Sequence, residues 1–137
     1  MAALGARHAE VEGAGDLAAV LDTMAPNPLY EFHPLGRCMR GDEMVRRFYE
    51  HFIERFLPLR ADVELLGEWV GEHEVVQEYR LALVVDGARE RHNVVGILYV
   101  DEASAALGKL RGERVYASER FIQLMTGPLF DALLPLE

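Results

Sequence analysis

The sequence predicts an α+β fold in which a curved antiparallel or mixed sheet wraps around N-terminal helices and encloses a pocket, as a cone does. Apolar residues recur at helical spacing up to about residue 58 and at strand spacing from about residue 61 onward. Asp86-Gly87 is a strong hairpin signal, because a type I′ turn needs positive φ at both central residues. Gly67, Gly96 and Gly112 lie inside strand patterns, where glycine marks bends, so we expect the sheet to close over the helices.

The first part of the chain is predicted to be helical around a short strand pair. Residues 6–12 are a candidate first helix, and Asp16 is the predicted N-cap of a second one that stops at Pro26-Asn27-Pro28. Strands follow over residues 29–32 and 37–40. Asp42 then caps the strongest predicted helix, which ends at Pro58. Its apolar stripe is Met44, Val45, Phe48, Phe52 and Phe56.

The rest of the chain alternates with a period of two, which predicts strands. Their approximate ranges are 61–70, 75–85, 89–100 and 109–125. The apolar tail over residues 129–134 has helical spacing, and we expect it to dock over the cavity mouth or across a dimer interface.

Composition limits the possible functions. The 137 residues suit a single domain over 1–137, and no repeat or linker divides them. The net charge of −9 disfavours nucleic acid and anionic membranes as partners. No apolar run is long enough to span a membrane or to form a cleaved leader. Cys38 is the single cysteine, so we expect a reducing cytoplasm.

Motifs for bound groups are absent from the sequence. No H-x-x-x-H, H-x-H or C-x-x-C pattern occurs, so we expect no metal. Gly13-Ala14-Gly15 lacks the preceding strand and third glycine of a dinucleotide site, and neither Ser104 nor Ser118 has the context of a nucleophile elbow. We therefore expect chemistry without a cofactor, if there is chemistry.

Glu78 and His92 are the candidate catalytic residues. Glu78 and Arg80 share one face of a strand, so they form a desolvated pair if that face lines the cavity. The competing interpretation, with about equal weight, is a salt bridge on a dimer face. His92 shares its face with apolar residues, which would favour a neutral base, whereas a strand-end histidine near solvent is the somewhat favoured alternative.

Side chains with polar tips are the candidate ligand-binding residues, because small-molecule cavities combine apolar walls with a few such groups. Core packing is the competing interpretation for each aromatic, and an ordinary turn position is the competing one for His33. Glu113 is the best alternative base if it points inward, but a register shift of one residue would reverse its face. His8, His51 and His73 are expected at the surface. The candidate ligand-binding set is Tyr30, His33, Tyr49, Trp69, Arg80, Arg114 and Tyr116.

The order of elements and several segments resemble the SnoaL-like branch of the nuclear transport factor 2-like superfamily. That resemblance implies an α+β cone, usually a homodimer, in a superfamily that includes ketosteroid isomerase, scytalone dehydratase, limonene epoxide hydrolase, polyketide cyclases and non-catalytic modules. Many members have Tyr-x-Asp on the last strand, where this chain has Tyr116-Ala117-Ser118, so we do not transfer the epoxide hydrolase mechanism. The segments are Gly15-Asp16-Leu17, Tyr30-Glu31-Phe32, Phe48-Tyr49, Glu78-Tyr79-Arg80, Gly108-Lys109-Leu110 and Glu113-Arg114-Val115-Tyr116.

Taken together, we expect a cytoplasmic homodimer that binds a small hydrophobic molecule. The enzyme hypothesis is cofactor-independent isomerase, dehydratase or cyclase chemistry, with Glu78 or His92 as the base and Tyr30, Tyr49 and Arg80 as hydrogen-bond donors. The alternative is a non-catalytic ligand-binding or dimerisation module of the same fold. A cavity that contains an unpaired carboxyl or imidazole group would favour the enzyme.

Overall fold

The computed structural model describes residues 1–136. Its elements follow the predicted order through the β4–β5 hairpin: two helices, a strand pair, a long helix and then strands. The helices are α1 (Ala2–Gly13), α2 (Leu17–Asp22), α3 (Asp42–His51), α4 (Glu102–Ala106) and α5 (Glu119–Thr126). The strands are β1 (Met24–His33), β2 (Arg37–Arg40), β3 (Arg60–Val70), β4 (Glu74–Val85), β5 (Ala88–Tyr99), β6 (Leu110–Tyr116) and β7 (Leu134–Pro135).

All seven strands form one curved sheet in the order β3-β4-β5-β6-β1-β2-β7. The pairs are antiparallel except for β1 and β6, which run parallel at the centre, so of the two expected arrangements, antiparallel or mixed, the sheet has the mixed one. Asp86 and Gly87 have φ values of 50° and 80° and connect β4 to β5, as the hairpin signal predicted.

Helices α1 and α3 cover the concave face of this sheet. Gly5 allows α1 to approach β4 closely, because a Cβ on Gly5 would lie 3.2 Å from Cγ2 of Val75. The predicted stripe of α3 is buried and continues through a π-helical turn, Phe52–Phe56, and a 3-10 turn, Leu57–Leu59. The π-helical turn buries both Phe52 and Phe56.

The first strand is longer than predicted. β1 starts at Met24 and passes through Pro26 and Pro28, which the sequence placed in a loop. Its pairing with β6 is irregular between Met24 and Leu29, where Asn27 takes a φ of 61°. This irregularity accommodates the two prolines, which cannot donate hydrogen bonds to a regular ladder.

The last predicted strand is too long and requires correction. β6 ends at Tyr116, and Ser118 caps α5 by accepting a hydrogen bond from the backbone N–H of Phe121 at 3.1 Å. Phe121, Ile122 and Met125 are all buried, and their spacing suits one face of a helix. Residues 109–125 therefore change from strand to helix where a side-chain cap is available.

The tail packs against the sheet edge and not over the cavity. Leu129 and Leu133 are buried in the core, and Cys38 of β2 pairs with Leu134 of β7. Neither part of the tail lines the cavity described below. Across residues 1–136, no helix combines the length and the apolar character needed to cross a bilayer.

Candidate functional site

A cavity of about 280 Å³ lies between the concave face of the sheet and the helices. Its opening lies between α1 and β3, because Ala9, Gly13, Val63 and Leu65 line it and are nevertheless exposed. The walls are largely apolar and aromatic, as in most small-molecule sites. The wall residues include Phe48, Phe52, Phe56, Leu81, Val115, Phe121 and Met125.

Glu113 points into this cavity from β6. It lies opposite Tyr30 of β1 and Leu98 of β5, both of which are buried on the concave side. Its carboxyl group has no hydrogen-bond partner among residues 1–136. Burial, followed by the negative charge of Glu12, raises the pKa of Glu113 to about 8, although the positive charge of His8 opposes the rise. Glu113 is therefore mostly a neutral carboxylic acid at pH 7.

Gly96 on the neighbouring strand makes room for this carboxyl group. A Cβ at Gly96 would lie 2.9 Å from Oε1 of Glu113 and 3.4 Å from the hydroxyl oxygen of Tyr79. A side chain here would have to displace the acid or the tyrosine. The glycine that the sequence marked as a bend thus also opens the floor of the cavity.

Glu12 approaches Glu113 from α1 together with His8, one helical turn earlier. His8 is 2% exposed, and its Nε2 lies 3.3 Å from Oε2 of Glu12. Its Nδ1 lies 2.7 Å from Oγ1 of Thr23, whose hydroxyl donates to the carbonyl oxygen of Val20 at 2.6 Å. Because the Thr23 proton is used in this way, Nδ1 of His8 must carry the proton of the first bond.

The charge state of His8 follows from its neighbours. Burial disfavours the imidazolium, but the hydrogen bond and the charge of Glu12 outweigh burial and raise the pKa of His8. A protonated His8 donates from Nε2 toward Glu12. In that protonation state the imidazolium and the Glu12 carboxylate form an ion pair inside the fold.

Two tyrosines add a second donor to Glu12. The hydroxyl of Tyr49 donates to Oε2 of Glu12 at 3.0 Å, and the hydroxyl oxygens of Tyr49 and Tyr30 are 2.6 Å apart. Since the Tyr49 proton points to Glu12, Tyr30 is the donor in the bond between the tyrosines. Burial raises the pKa of both tyrosines well above the usual value, so both remain neutral donors.

These contacts give the two carboxyl groups different surroundings. Glu12 accepts hydrogen bonds from Tyr49 and His8, which favours the carboxylate, whereas Glu113 has no donor and keeps its proton. A carboxyl group that holds its proton beside one that accepts two hydrogen bonds is an arrangement suited to acid–base chemistry.

His8, Glu12 and Glu113 are also the residues that could hold a metal ion. One candidate ligand atom from each lies within 4.8 Å of the other two. A cation would require an unprotonated Nε2 on His8 and an ionised Glu113. The contacts described above favour the opposite state of both groups, so the cluster fits an acid–base site better than a metal site.

Of the candidate residues from the sequence, Tyr30 and Tyr49 belong to this site. Tyr30 lines the cavity, and Tyr49 lies beside it in contact with Glu12. Trp69 lies on an outer edge and is 58% exposed.

Neither Glu78 nor His92, the two bases expected from the sequence, lines the cavity. Glu78 alternates on β4 with Gln77 and Tyr79, which line the cavity, so Glu78 and Arg80 face the convex side. Arg80 pairs there with Glu64 at 3.7 Å.

His92 is on the concave side but lies outside the cavity lining. Its Nε2 is 3.0 Å from Oε1 of Glu90, and its ring packs 5.4 Å from that of Phe121 on α5. Glu90 also pairs with Arg120 at 2.8 Å, so His92 belongs to an ion-pair network.

The remaining ligand-binding candidates form a cluster on the convex face. The rings of His33 and Tyr116 stack with centroids 4.7 Å apart. Arg114 pairs with Glu31 at 3.4 Å and lies over the ring of Tyr99. None of His33, Arg114 and Tyr116 lines the cavity.

Sequence reasoning missed His8 and Glu12. His8 was expected at the surface, and Glu12 was given no role although the predicted helix over residues 6–12 contains both. The spacing of four residues between them is the signal that could have paired them on one helical face.

Comparisons with known proteins agree with this fold. A family model for the SnoaL-like domain matches residues 6–106. No curated protein sequence matches the chain significantly.

Solved structures resemble this one at low sequence identity. One is the epoxide hydrolase/cyclase-like enzyme SalBIII, described as having a role in pyran ring formation in the polyether salinomycin. Its sequence identity to this chain is 16%, the match covers 85% of this chain and 89% of that chain, and the TM-score is 0.65. A protein with a cystatin-like fold from Silicibacter pomeroyi DSS-3 has 12% identity, coverage of 89% and 79%, and a TM-score of 0.66. An NTF2-like protein of unknown function from Cytophaga hutchinsonii ATCC 33406 has 12% identity, coverage of 85% and 97%, and a TM-score of 0.67. At these identities the likeness shows the fold, and β6 with Glu113 lies beyond the residues that the family model matches.

Proposed function

The chain belongs to the SnoaL-like domain family, and from this premise we propose that it binds a small, mostly hydrophobic molecule in the cavity and moves protons on it without a cofactor. The observation that carries this proposal is the unpartnered carboxyl group of Glu113 beside the multiply hydrogen-bonded carboxylate of Glu12. The reaction class is isomerisation, dehydration or cyclisation.

Glu113 is the proton donor and Glu12 is the base in this mechanism. The Glu113 O–H protonates an oxygen of the bound molecule, such as a carbonyl, a departing hydroxyl or a strained ether. The Glu12 carboxylate takes a proton from a carbon or hydroxyl of the same molecule. Each turnover therefore leaves Glu113 ionised and Glu12 protonated.

The same geometry supports the return of the proton. A carboxylate oxygen of Glu12 and one of Glu113 lie within 4.8 Å of each other, a separation that one water molecule can bridge. The proton then passes from Glu12 back to Glu113 and restores the starting state. No oxidant, reductant or group donor is needed.

The test is turnover of a panel of hydrophobic enones, β-hydroxy ketones and hydroxy-epoxides. We expect the wild type to convert at least one class, and Glu113→Gln to reduce that rate by about 10²- to 10⁴-fold. The rate should fall as the pH rises through about 8, because Glu113 loses its proton there. Glu50→Gln, an exposed change of equal charge on α3, is the matched control.

Retention of full turnover in Glu113→Gln would remove Glu113 from the mechanism. Activity that a chelator abolishes and zinc or manganese restores would instead favour a metal at the same cluster. Binding of panel members without any turnover would favour the alternative, a non-catalytic ligand-binding or dimerisation module.

The proposal also includes a homodimer in a reducing cytoplasm. The convex face of the sheet carries half-buried apolar residues such as Val95 and Ile97. It also carries positive and negative side chains, such as those of the Arg114–Glu31 ion pair. A face with both charges can be self-complementary about a twofold axis. The net charge of −9 argues against nucleic acid and anionic membranes as partners, and the buried, unbridged Cys38 suits a reducing compartment.

A further inference from the structure

Arg60 is the one cation that lines the cavity, and within residues 1–136 it has no carboxylate within 4.0 Å and donates no side-chain hydrogen bond. It is half-buried at the start of β3. Within residues 1–136, the other half-buried arginine and lysine side chains all have an acidic partner. These pairs are Arg80–Glu64, Lys109–Asp22, Arg111–Asp101 and Arg114–Glu31.

Strand register places Arg60 and Glu113 at opposite ends of the cavity. Arg60 lies opposite Leu83, near the end of β4. Glu113 lies opposite Leu98, which in turn lies opposite Val75, near the beginning of β4. The cavity therefore has a positive end and an acidic end.

Apolar and aromatic side chains occupy the region between the two ends. Phe52, Phe56 and Leu81 line this part of the cavity. Tyr79 also lines it. Burial raises the pKa of its hydroxyl well above the usual value, the charges of Glu113 and Glu12, when ionised, raise it further, and the charge of Arg60 lowers it. Groups at both ends of the cavity therefore act on the same hydroxyl.

From this arrangement we infer that the ligand is an elongated amphipathic acid: an apolar body with a carboxylate that pairs with Arg60 and a neutral oxygen function that faces Glu113. A half-buried guanidinium without a counter-charge is costly, and a carboxylate matches its planar donors. The carboxylate is repelled by Glu12 at the other end, so one orientation is favoured. Only the oxygen at the Glu113 end rests on the proposed function.

The test compares two probes that differ only at the charged end. Binding of 4-phenylbutyrate and of its uncharged amide is measured by calorimetry with the full chain. We expect the carboxylate to bind the wild type at least about tenfold more tightly than the amide, because a charge-assisted pair replaces a neutral hydrogen bond. Arg60→Gln should abolish this preference, and Arg60→Lys should keep part of it.

Arg55→Gln is the matched control, because Arg55 is exposed on the π-helical turn and does not line the cavity. It should keep the wild-type preference. Equal binding of both probes by the wild type, an unchanged preference in Arg60→Gln, or no binding of either probe at millimolar concentration would each overturn the inference.

Glu113→Gln separates this inference from the proposed function. It should keep the preference for the carboxylate, since Arg60 is intact, while it loses turnover. If Glu113→Gln keeps turnover and still prefers 4-phenylbutyrate to its amide, the proposed function is contradicted and the inference about Arg60 is supported.

Discussion

Glu113 makes the stability of the fold depend on pH. Its pKa is 4.5 in the unfolded chain and about 8 in the folded one, so the native state holds a proton that the unfolded state has lost between these values. The free energy of unfolding therefore decreases as the pH rises through this window, by at most about 1.4 kcal/mol per pH unit. His8, whose pKa is also raised, contributes in the same direction.

Replacing Glu113 with Gln should flatten this dependence. We expect Glu113→Gln to be more stable than the wild type at about pH 8 and to lose less stability than the wild type between about pH 5 and pH 8. Urea unfolding at several pH values measures the difference. Parallel curves for the two proteins would show that Glu113 titrates normally.

At the level of single residues, the sequence could place Glu113 on a strand but not on a face. The alternation of Arg114, Val115 and Tyr116 does not show which face of the strand is buried, because both faces of this sheet are partly apolar. Glu78 faced the same ambiguity and turned outward. The contact of His8 with Thr23 depends on the docking of α1 against α2, which no local pattern reports.

Among the elements, helix α5 depends on Ser118 as its N-cap. Ser118 stands where the resemblance of the sequence would lead one to expect the Asp of a Tyr-x-Asp pattern, and its hydroxyl oxygen accepts a hydrogen bond from the Phe121 N–H at 3.1 Å. Its side chain is exposed and not directed into the cavity. Both serine and aspartate are good N-caps.

Two substitutions at this position should therefore differ in effect. Ser118→Ala should reduce the free energy of unfolding by about 1 kcal/mol, whereas Ser118→Asp should leave it within a few tenths. Chemical denaturation at neutral pH checks both. A gain of turnover in Ser118→Asp would contradict the assignment of this residue as a cap alone.

The sequence predicted the elements best where local signals agreed. Asp86-Gly87 gave the hairpin, and Phe48, Phe52 and Phe56 gave the buried helix, since turn chemistry and periodicity do not depend on distant residues. Strand β1 and helix α5 were misjudged because Pro26 appeared to forbid a strand, and because Phe121 continued an apolar run beyond Tyr116. The parallel pairing of β1 with β6 could only be seen in three dimensions.

At the scale of the whole molecule, the convex face is where we expect the second copy. Ile97 lies there on β5, opposite Val76 and Arg114. Ile97→Lys should give a monomer in sedimentation experiments, because a buried charge costs several kcal/mol at an interface and the neighbouring Arg114 repels the lysine. Leu107→Lys, an equivalent change at an exposed site near α4, should remain dimeric. A wild type that sediments as a monomer at micromolar concentration would refute the dimer.

The parallel pairing of β1 with β6 also influences when the proposed acid–base site can assemble during synthesis. His8 and Glu12 leave the ribosome early, but Glu113 arrives on a strand that must insert between β5 and β1. Closing such a distant pairing is entropically slow compared with forming the β4–β5 hairpin. We expect the acid and the base to meet late, so a partly synthesised chain carries a folded hairpin but no reactive centre.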